Sequence, residues 1–350
     1  MADPTDEAAA GELPGLPLRR LAPYLARHVP EIGDAPLTAS LISGGRSNLT
    51  YLLTDGDRRW VLRRPPLGVV LETAHDMDRE YRMIRALHPT GVPVPAPVHL
   101  GDEEGTQILG APFFVMGFAD GAVLREPDQL AAVGDPDRLA RALMRCLAQL
   151  HAVAPDEVGL GSLGRPDGYL TRQLDRWLRQ VGSIDSPLLG RFEEVAAALR
   201  ESLPSTQRTS LVHGDYRLDN VVVGADEEIV AVLDWEMATR GDPLADVAST
   251  LVWWDGMRGM DMPVAAHPGD IAGYPTRDLL VSAYAEHSDL DLTHLPWYLA
   301  FAFFKIAAIF EGIRHRHDEG LTVGDGFERL GPLVPGLLDS AWAAHTDQPS

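Results

Sequence analysis

Two residue types are almost absent from this sequence. Lys305 is the only lysine and Cys146 the only cysteine among the 350 residues. A single cysteine excludes an internal disulfide. Since lysine is missing elsewhere, any other cation that binds phosphate must be an arginine, whose guanidinium group stays charged.

An excess of positive charge is also lacking. The chain has 51 acidic residues against 30 lysines and arginines, which gives a formal net charge of −21. A balance of this sign argues against nucleic acid or an anionic membrane surface as a partner. It is compatible with a cationic substrate, although a solvated acidic surface is the commoner cause of such a charge.

Long apolar runs are missing as well. The longest apolar segment, residues 297–310, contains Lys305 and is shorter than the roughly 20 residues that a membrane-spanning helix needs. Residues 1–16 are acidic and rich in proline and glycine, which is typical of a flexible tail and not of a signal peptide. We therefore expect a soluble, cytoplasmic protein with no membrane partner, and the length of 350 residues predicts about two domains.

Residues 211–247 contain the most informative pattern of the chain. Two apolar runs with β propensity, residues 220–223 and 229–233, flank a short acidic turn. This pattern predicts a β-hairpin. Glycine, aspartate and asparagine are common in turns, so a hairpin with incidental polar residues is the alternative to a functional site.

Three polar residues border the predicted hairpin. Asn220 follows Asp215 by five residues, and Asp234 follows Asn220 by fourteen. A hairpin would fold these positions toward one end, so that two carboxylates and an amide oxygen face the same point. Oxygen ligands of this kind suit Mg²⁺, which keeps several waters and takes one or two carboxylates together with substrate phosphates.

These residues resemble the catalytic centre of the kinase-like phosphotransferases, the aminoglycoside/choline kinase group. The motif is a His-Gly-Asp tripeptide that ends at Asp215, then Asn220, then an Asp-Trp-Glu tripeptide that begins at Asp234. The resemblance implies that Asp215 accepts or orients a substrate hydroxyl proton and that Asn220 and Asp234 hold Mg²⁺. It also implies that Arg217 contacts the transferred phosphate, where a plain surface arginine is the alternative.

A glycine-rich turn near the start of the chain resembles the loop with which kinases cover the phosphates of ATP. The residues that the resemblance assigns to this role, through their backbone N–H groups, are Gly44, Gly45, Ser47 and Asn48. The third glycine of the kinase loop is absent. Taken alone the turn is weak evidence, because a hairpin turn needs glycine in any case.

Arg63 ends a Trp-Val-Leu-Arg run that resembles the kinase strand with the nucleotide-binding lysine. Glu80 lies seventeen residues later on a predicted amphipathic helix. The resemblance pairs Glu80 with Arg63 and so holds the guanidinium against the α- and β-phosphates. A solvated carboxylate is the alternative for Glu80. Arg64 could replace Arg63, but strand alternation would direct it to the other face.

A predicted strand within residues 111–121 resembles the connection between the two kinase lobes. The resemblance places Met116 beside the adenine base. It assigns the contacts with the edge of the base to the Gly117 carbonyl and the Ala119 N–H. A plain buried strand is the alternative, because short apolar runs are ambiguous.

The resemblance implies an α+β, protein-kinase-like fold with two lobes. Residues 17–118 would form a small nucleotide-binding lobe with an antiparallel sheet and one helix. Residues 119–350 would form a larger, mainly helical lobe that includes the catalytic hairpin. The sequence pattern further predicts a long loop at residues 255–273 and a last helix at residues 325–345.

We expect an ATP- and Mg²⁺-dependent O-phosphotransferase that acts on a hydroxyl group of a small molecule. Only about ten residues separate Asp234 from the helix predicted at Leu244, so there is no activation segment on which a peptide substrate could dock. A nucleotide-binding pseudokinase is the alternative from another class, and the presence of all three catalytic polar residues weighs against it.

The acceptor stays open at this point. Parts of the sequence, Lys305 in its apolar helix among them, look like the kinase domains associated with acyl-CoA dehydrogenases, some of which act on hydroxylated acyl substrates. An aminoglycoside, a macrolide and a hydroxylated carboxylic acid are all possible acceptors. The choice between ATP and GTP and the oligomeric state are open as well.

Three residues are candidates for the acceptor side. Trp253 and Trp254 occupy adjacent helical positions, so only one of them can face a cleft and the other belongs in the core. Lys305 lies between apolar residues and, if buried, needs a carboxylate partner or an anionic ligand. A structural ion pair is thus the alternative to a role in receiving a carboxylate or phosphate of the acceptor.

Overall fold

The computed structural model describes residues 13–33, 36–42, 48–67, 76–262, 267–321 and 326–347. The chain forms two compact units. The first consists of the described residues up to Asp120 together with Ala231–Glu236, and the second of Gly121–Val230 and the described residues from Met237 onward. The sequence places the division at residue 118, and the grouping of Ala231–Glu236 with the first unit is an addition to it.

A five-stranded antiparallel sheet with the order β1-β2-β3-β5-β4 forms the basis of the first unit. Its strands are β1 (Thr38–Leu41), β2 (Leu49–Thr54), β3 (Arg59–Arg64), β4 (Pro97–Leu100) and β5 (Phe114–Gly117). Strands β2 and β3 form a tight hairpin. Gly56 adopts φ +102° in its turn, and the Asp55 carboxylate accepts hydrogen bonds from the N–H groups of Asp57 and Arg58. This hairpin fixes the register of β3, on which Arg63 lies.

Three helices accompany this sheet: α1 (Leu18–His28), α2 (Met77–Leu87) and α3 (Glu103–Leu109). Helix α2 is the one helix that the resemblance implies for this lobe. The sequence also shows helical spacing over residues 18–29, where α1 lies, and α3 is additional. Asp76 caps α2 by accepting a 3.0 Å hydrogen bond from the Arg79 N–H. The apolar face of α2 is buried, and Glu80 is buried with it.

The second unit is mainly helical. Its helices are α4 (Pro127–Ala131), α5 (Pro136–Ala152), α6 (Tyr169–Gly182), α7 (Leu189–Glu201), α8 (Pro243–Leu251), α9 (Arg277–Ala285), α10 (Leu295–Asp318) and α11 (Val334–Thr346). Helix α8 starts sharply because Asp242 accepts a 3.1 Å hydrogen bond from the Leu244 N–H and Pro243 follows at the first helical position. The start of α8 matters because its first turn carries Asp246.

Four short strands surround the predicted catalytic motif: β6 (Ser210–Val212), β7 (Val221–Val223), β8 (Ile229–Val232) and β9 (Thr239–Gly241). Strands β7 and β8 form the predicted hairpin. The sequence suggested that Asn220 begins the first strand of this hairpin. In the structure Asn220 instead ends the 3₁₀ turn Leu218–Asn220, and β7 begins one residue later. The pairing of β6 with β9 was not predicted, because three-residue strands are too short to show an alternating pattern.

Two predicted segments differ from the structure. The last helix was predicted to begin at residue 325 but begins at Val334. The preceding Gly331–Leu333 forms a separate 3₁₀ turn, and its Pro332 has no N–H with which to continue a helix from the residues before it. The predicted loop at 255–273 begins inside a π-turn, Val252–Gly256, and contains the buried residues His267 and Pro268. Residues 263–266 lie outside the described part of the chain.

Helix α10 is longer than the apolar segment seen in the sequence. By length and composition alone it could cross a membrane, but 72% of its most apolar window is buried inside the fold. Burial of this kind is typical of the core helix of a globular unit, and α10 packs on α6, α7, α8 and α11.

Candidate active site

The loop that joins β6 to β7 contains the predicted catalytic residues of the second unit. The Asp246 carboxylate on α8 accepts hydrogen bonds from the N–H groups of His213 (2.5 Å) and Gly214 (2.9 Å). Gly214 adopts φ +87°, and a Cβ atom there would lie 2.9 Å from the Cβ and carbonyl oxygen of Met237. The turn that precedes Asp215 therefore requires a glycine and a buried carboxylate.

His151 stabilises the charge of this buried carboxylate. Its Nε2 lies 3.5 Å from Oδ2 of Asp246, and its Nδ1 is 2.8 Å from the Tyr284 hydroxyl. Burial opposes the ionisation of Asp246, but the interactions with His151 and the hydrogen bonds of the loop lower its pKa below the ordinary value. Asp246 therefore holds the loop as a carboxylate.

Asp215 and Asn220 are in direct contact. Asn220 Nδ2 donates to the carbonyl oxygen and to Oδ2 of Asp215, each at 2.9 Å. This orientation leaves Asn220 Oδ1 without a hydrogen-bond donor among the described residues. The Asp215 side chain is 33% exposed, so a substrate hydroxyl could reach its carboxylate. The five-residue spacing thus brings together an accessible carboxylate and an available amide oxygen.

Arg217 lies beside the same carboxylate. Its Nε is 3.4 Å from Asp215 Oδ2, its Nη1 is 3.2 Å from Asp219 Oδ2, and its guanidinium lies 4.3 Å from the centre of the Trp253 ring. Burial raises the pKa of Asp219, and Arg217 opposes that shift. The sequence predicted Arg217 but not Asp219.

The two tryptophans have different environments. Trp254 is buried, and its Nε1 donates a 2.8 Å hydrogen bond to the Pro275 carbonyl. Trp253 is partly exposed and stacks on His267 at 6.1 Å with an interplanar angle of 15°. Trp253 and Arg217 line a small pocket of the second unit with Leu143, Leu218, Asp219, Thr250, Trp254 and Pro268.

Lys305 is near Asp215, as the acceptor hypothesis requires, but its partner is a backbone group. Lys305 Nζ donates a 2.5 Å hydrogen bond to the carbonyl oxygen of Gly214. Among the described residues no carboxylate forms an ion pair with Nζ. The structural ion pair considered from the sequence is therefore not found in this part of the chain.

In the first unit Arg63 and Glu80 form the buried ion pair suggested by the resemblance. Arg63 Nη1 contacts Glu80 Oε1, and Arg63 Nη2 lies 3.5 Å from Asp234 Oδ1. Burial raises the pKa of Glu80 to about 7, and Arg63 opposes the shift. Burial also opposes the charge of Arg63, but Glu80, Asp234 and Glu236 together raise its pKa. The guanidinium is therefore a fixed cation.

Arg64 faces away from Glu80. It donates hydrogen bonds to three backbone carbonyls: to Gly15 at 2.6 Å, to Leu109 at 3.3 Å and to Pro65 at 3.1 Å. The alternation of β3 explains the difference, since neighbouring side chains of a strand point to opposite faces. Arg64 is thus a tether within the first unit and not a substitute for Arg63.

Asp234 has an unusual backbone. Its φ is +64°, in the left-handed region that aspartate tolerates better than most residues. Its Oδ1 is buried and accepts no hydrogen bond from the described residues. A buried carboxylate oxygen that has the Arg63 guanidinium 3.5 Å away but accepts no hydrogen bond fits a magnesium ligand. No cluster of three or more His, Cys, Asp or Glu in the described residues could hold a metal. A metal here would need ligands from substrate phosphates and water, as Mg²⁺ does.

The other nucleotide-binding candidates lie in the first unit or outside the described residues. Gly44, Gly45 and Ser47 belong to the segment that the structure does not describe. Asn48 is buried, and its amide group has no hydrogen-bond partner among the described residues. Polar atoms that are buried without a partner are costly, so the Asn48 amide is available to a polar ligand.

The three residues predicted to contact adenine follow one another on and after β5. Met116 is buried and pairs with Val61 in the sheet. Gly117 N–H donates a 2.8 Å hydrogen bond to the Ala96 carbonyl. Ala119 N–H has no acceptor among the described residues, which leaves it available for the edge of a base.

Sequence reasoning missed two polar residues of the second unit. His151 ends an apolar helical pattern, where a histidine is expected to interact with the helix dipole, and its neighbours on α5 gave no sign of a buried acid. Asp219 lies between Leu218 and Asn220 in a turn, where an aspartate is ordinary. The apolar residues on both sides of His151 were the available indication that its ring is buried.

Comparisons with known proteins agree with the predicted family and fold. The model of the phosphotransferase enzyme family matches residues 38–280. A crystal structure of a protein of the aminoglycoside phosphotransferase type from Ralstonia eutropha is 27% identical and superimposes with a TM-score of 0.79, covering 95% of this chain and 99% of that one. The predicted protein-kinase-like fold and the resemblance to the aminoglycoside/choline kinase group are confirmed.

Curated relatives confirm the predicted similarity to proteins that contain acyl-CoA dehydrogenases. Acyl-CoA dehydrogenase family member 10 from Mus musculus is 31% identical over 341 residues, which are 93% of this chain and 31% of that protein. Family member 11 from Rattus norvegicus is 33% identical over 310 residues, which are 86% of this chain and 39% of that protein. The chain thus spans about a third of the length of these relatives.

Proposed function

We propose that the chain, which belongs to the phosphotransferase enzyme family, is a small-molecule kinase that transfers the γ-phosphoryl group of ATP to a hydroxyl group with the help of Mg²⁺. The observation that carries this proposal is the contact of Asn220 with Asp215. Asn220 orients the accessible carboxylate of Asp215. The loop that carries Asp215 is held in turn by the Asp246 carboxylate, which accepts a hydrogen bond from the His213 N–H.

Asp215 is the proposed proton acceptor. As the acceptor oxygen forms its bond to the γ-phosphorus, the bond from that phosphorus to the leaving ADP oxygen breaks, and the hydroxyl proton passes to the Asp215 carboxylate. Asn220 keeps that carboxylate in one rotamer. Arg217, 3.4 Å from Asp215 Oδ2, supplies positive charge beside the reacting group.

Asp234 and Asn220 are the proposed magnesium ligands. Asp234 provides its buried Oδ1, which accepts no hydrogen bond from the described residues, and Asn220 provides its Oδ1 atom. Bound Mg²⁺ would neutralise charge on the phosphates of the nucleotide. We infer these roles from the residue types and their available oxygens.

Nucleotide binding is proposed for the first unit. Arg63, held by Glu80, would donate to the α- and β-phosphates, and Asn48 lies at the end of the glycine-rich turn that would cover them. Met116, Gly117 and Ala119 would contact the adenine. The available N–H of Ala119 supports the last assignment.

A hydroxylated acid is the second candidate for the acceptor. The specific observation is that two cations, Arg217 and Lys305, lie close to Asp215 in a chain with a net charge of −21. Arg217 is partly exposed, so its guanidinium could pair with a carboxylate or phosphate of such an acceptor. A hydroxylated acid is therefore proposed beside an aminoglycoside as an acceptor for the screen.

An acceptor screen tests both parts of the proposal. Purified protein and [γ-³²P]ATP are incubated with aminoglycosides, macrolides, hydroxy acids and their thioesters, each with MgCl₂ and with excess EDTA. We expect transfer that depends on Mg²⁺ and is lost in Asp215→Asn, while Asp226→Asn, in the exposed hairpin turn, retains activity. Nucleotide binding without transfer to any acceptor would instead favour the pseudokinase.

A further inference from the structure

Lys305 lies where a charged residue is costly. It is flanked on α10 by Phe304 and Ile306, which are both buried. Burial lowers the pKa of Lys305, while the nearby carboxylates of Asp215 and Asp246 oppose this shift. A methionine of similar length would fill the same space without this cost. Packing alone therefore does not account for an ammonium group at this position.

The contacts of Lys305 Nζ indicate a role in the loop that carries Asp215. Nζ donates its 2.5 Å hydrogen bond to the carbonyl oxygen of Gly214, which belongs to the peptide group that joins Gly214 to Asp215. The N–H of the same peptide group donates to Nδ1 of His213 at 3.3 Å. Both polar atoms of this peptide group are thus held by side chains.

The two preceding peptide groups are held by a different side chain. The N–H groups of His213 and Gly214 both donate to the Asp246 carboxylate. Gly214 is flexible in principle, because glycine populates both signs of φ about equally. Asp246 accepts a hydrogen bond from the Gly214 N–H, and Lys305 donates one to the Gly214 carbonyl. Together these two contacts determine the orientation of Asp215.

We propose that Lys305 is a positioning residue for the transfer reaction: it fixes the Gly214–Asp215 peptide group and thereby the direction of the Asp215 carboxylate. The inference rests on the proposed function, in which Asp215 receives the hydroxyl proton. It differs from the acceptor-binding role considered from the sequence, because the hydrogen bond of Nζ is made to the enzyme's own backbone.

Kinetics of Lys305 variants separate these roles. Lys305→Met removes the donor and keeps the length of the side chain, Lys305→Arg keeps a cation, and Arg316→Met removes an exposed cation from the same helix as a control. We expect Lys305→Met to lower kcat about 100-fold with unchanged KM for ATP and acceptor, because a small displacement of a catalytic group is enough for such a loss. Lys305→Arg should recover part of the rate, and Arg316→Met should behave as wild type.

A second measurement does not depend on the stability of a Lys305 variant. Because the chain has a single lysine, [¹⁵Nζ]lysine labelling gives one side-chain ammonium resonance. We expect Asp215→Asn to shift this resonance in the folded protein, whereas Asp226→Asn should leave it unchanged.

Three results would overturn the inference. They are a wild-type kcat in folded Lys305→Met, a rise in the acceptor KM alone, and an ammonium resonance that does not respond to Asp215→Asn. Failure of the proposed function has a different signature, since the wild type would then bind nucleotide without transfer, or Asp215→Asn would retain transfer activity, whatever the behaviour of Lys305.

Discussion

Arg63 is held by two carboxylates through separate nitrogens, Glu80 on Nη1 and Asp234 on Nη2. A guanidinium can serve both partners because its donors lie in a rigid planar fork, whereas a lysine is a single point charge. The residue that would carry phosphate charge is therefore tied to the residue that would carry the metal, both within the first unit.

The first prediction follows from this geometry. Arg63→Lys should raise the KM for ATP about 10-fold and retain measurable kcat, because charge survives while one of the two contacts is lost. Glu80→Gln should have a similar effect, since Arg63 loses its buried charged partner. The measurement is steady-state kinetics at varied ATP with saturating acceptor.

Asp78→Asn is the matched control, because Asp78 lies on the same helix but pairs with Arg82 at the surface. Its KM for ATP should equal that of the wild type. If Arg63→Lys also leaves this KM unchanged, Arg63 does not contact the nucleotide.

Some of these relationships were predictable because they depend on local geometry. Strand alternation separates Arg63 from Arg64, and a five-residue spacing across one turn brings Asn220 to Asp215. Adjacent helical positions likewise predict that only one of Trp253 and Trp254 faces a cleft, and the structure shows that Trp254 is the buried one. In each case the decisive information lies within a few residues of the chain.

Other relationships could not be read from the sequence because their partners are distant or lack a side chain. Lys305 bonds to a backbone carbonyl 91 residues earlier in the chain, and a backbone acceptor has no residue type to recognise. His151 meets Asp246 only because α5 and α8 lie beside β6 in the fold. The grouping of Ala231–Glu236 with the first unit likewise depends on tertiary contacts, such as the Val232 N–H bond to the Pro93 carbonyl.

The second prediction concerns the pH dependence of stability. The pKa of Asp246 is lower in the folded protein than the ordinary value, so its stabilising effect is fully present above about pH 4 and is lost as the pH falls through the folded pKa. Asp246→Asn should therefore destabilise the second unit by about 3 to 5 kcal/mol near neutral pH, because the change leaves buried partners unsatisfied.

The check is the urea midpoint of both proteins between pH 3 and 7. The difference between wild type and Asp246→Asn should shrink as the pH falls from about 4 toward the lower folded pKa of Asp246, at which the wild-type carboxylate becomes protonated as well. A difference that stays constant over the whole range would mean that the charge of Asp246 has no part in fixing the loop.

The third prediction contrasts the two tryptophans. Trp253→Leu removes the ring under the Arg217 guanidinium, a contact worth about 0.5 to 2 kcal/mol, and should raise the KM for the acceptor with little change in thermal stability. Trp254→Leu removes a buried ring and its hydrogen bond to Pro275, so it should lower the melting temperature markedly. Melting curves and acceptor kinetics of both variants decide whether the two residues differ in this way.

The last prediction concerns the metal, and the backbone of Asp234 determines which variant is informative. At φ +64° an alanine would add strain of about 1 to 2 kcal/mol, so a loss of activity in Asp234→Ala would mix backbone strain with ligand loss. Asparagine tolerates this conformation and keeps one oxygen while it removes the charge. Asp234→Asn should therefore fold normally but bind ATP about 10-fold more weakly in MgCl₂, and hardly differently from wild type in EDTA, as calorimetric titration would show. The exposed Asp226→Asn should match wild type in both conditions. Equal loss of affinity with and without the metal would assign Asp234 to the orientation of Arg63 and remove it from the magnesium site.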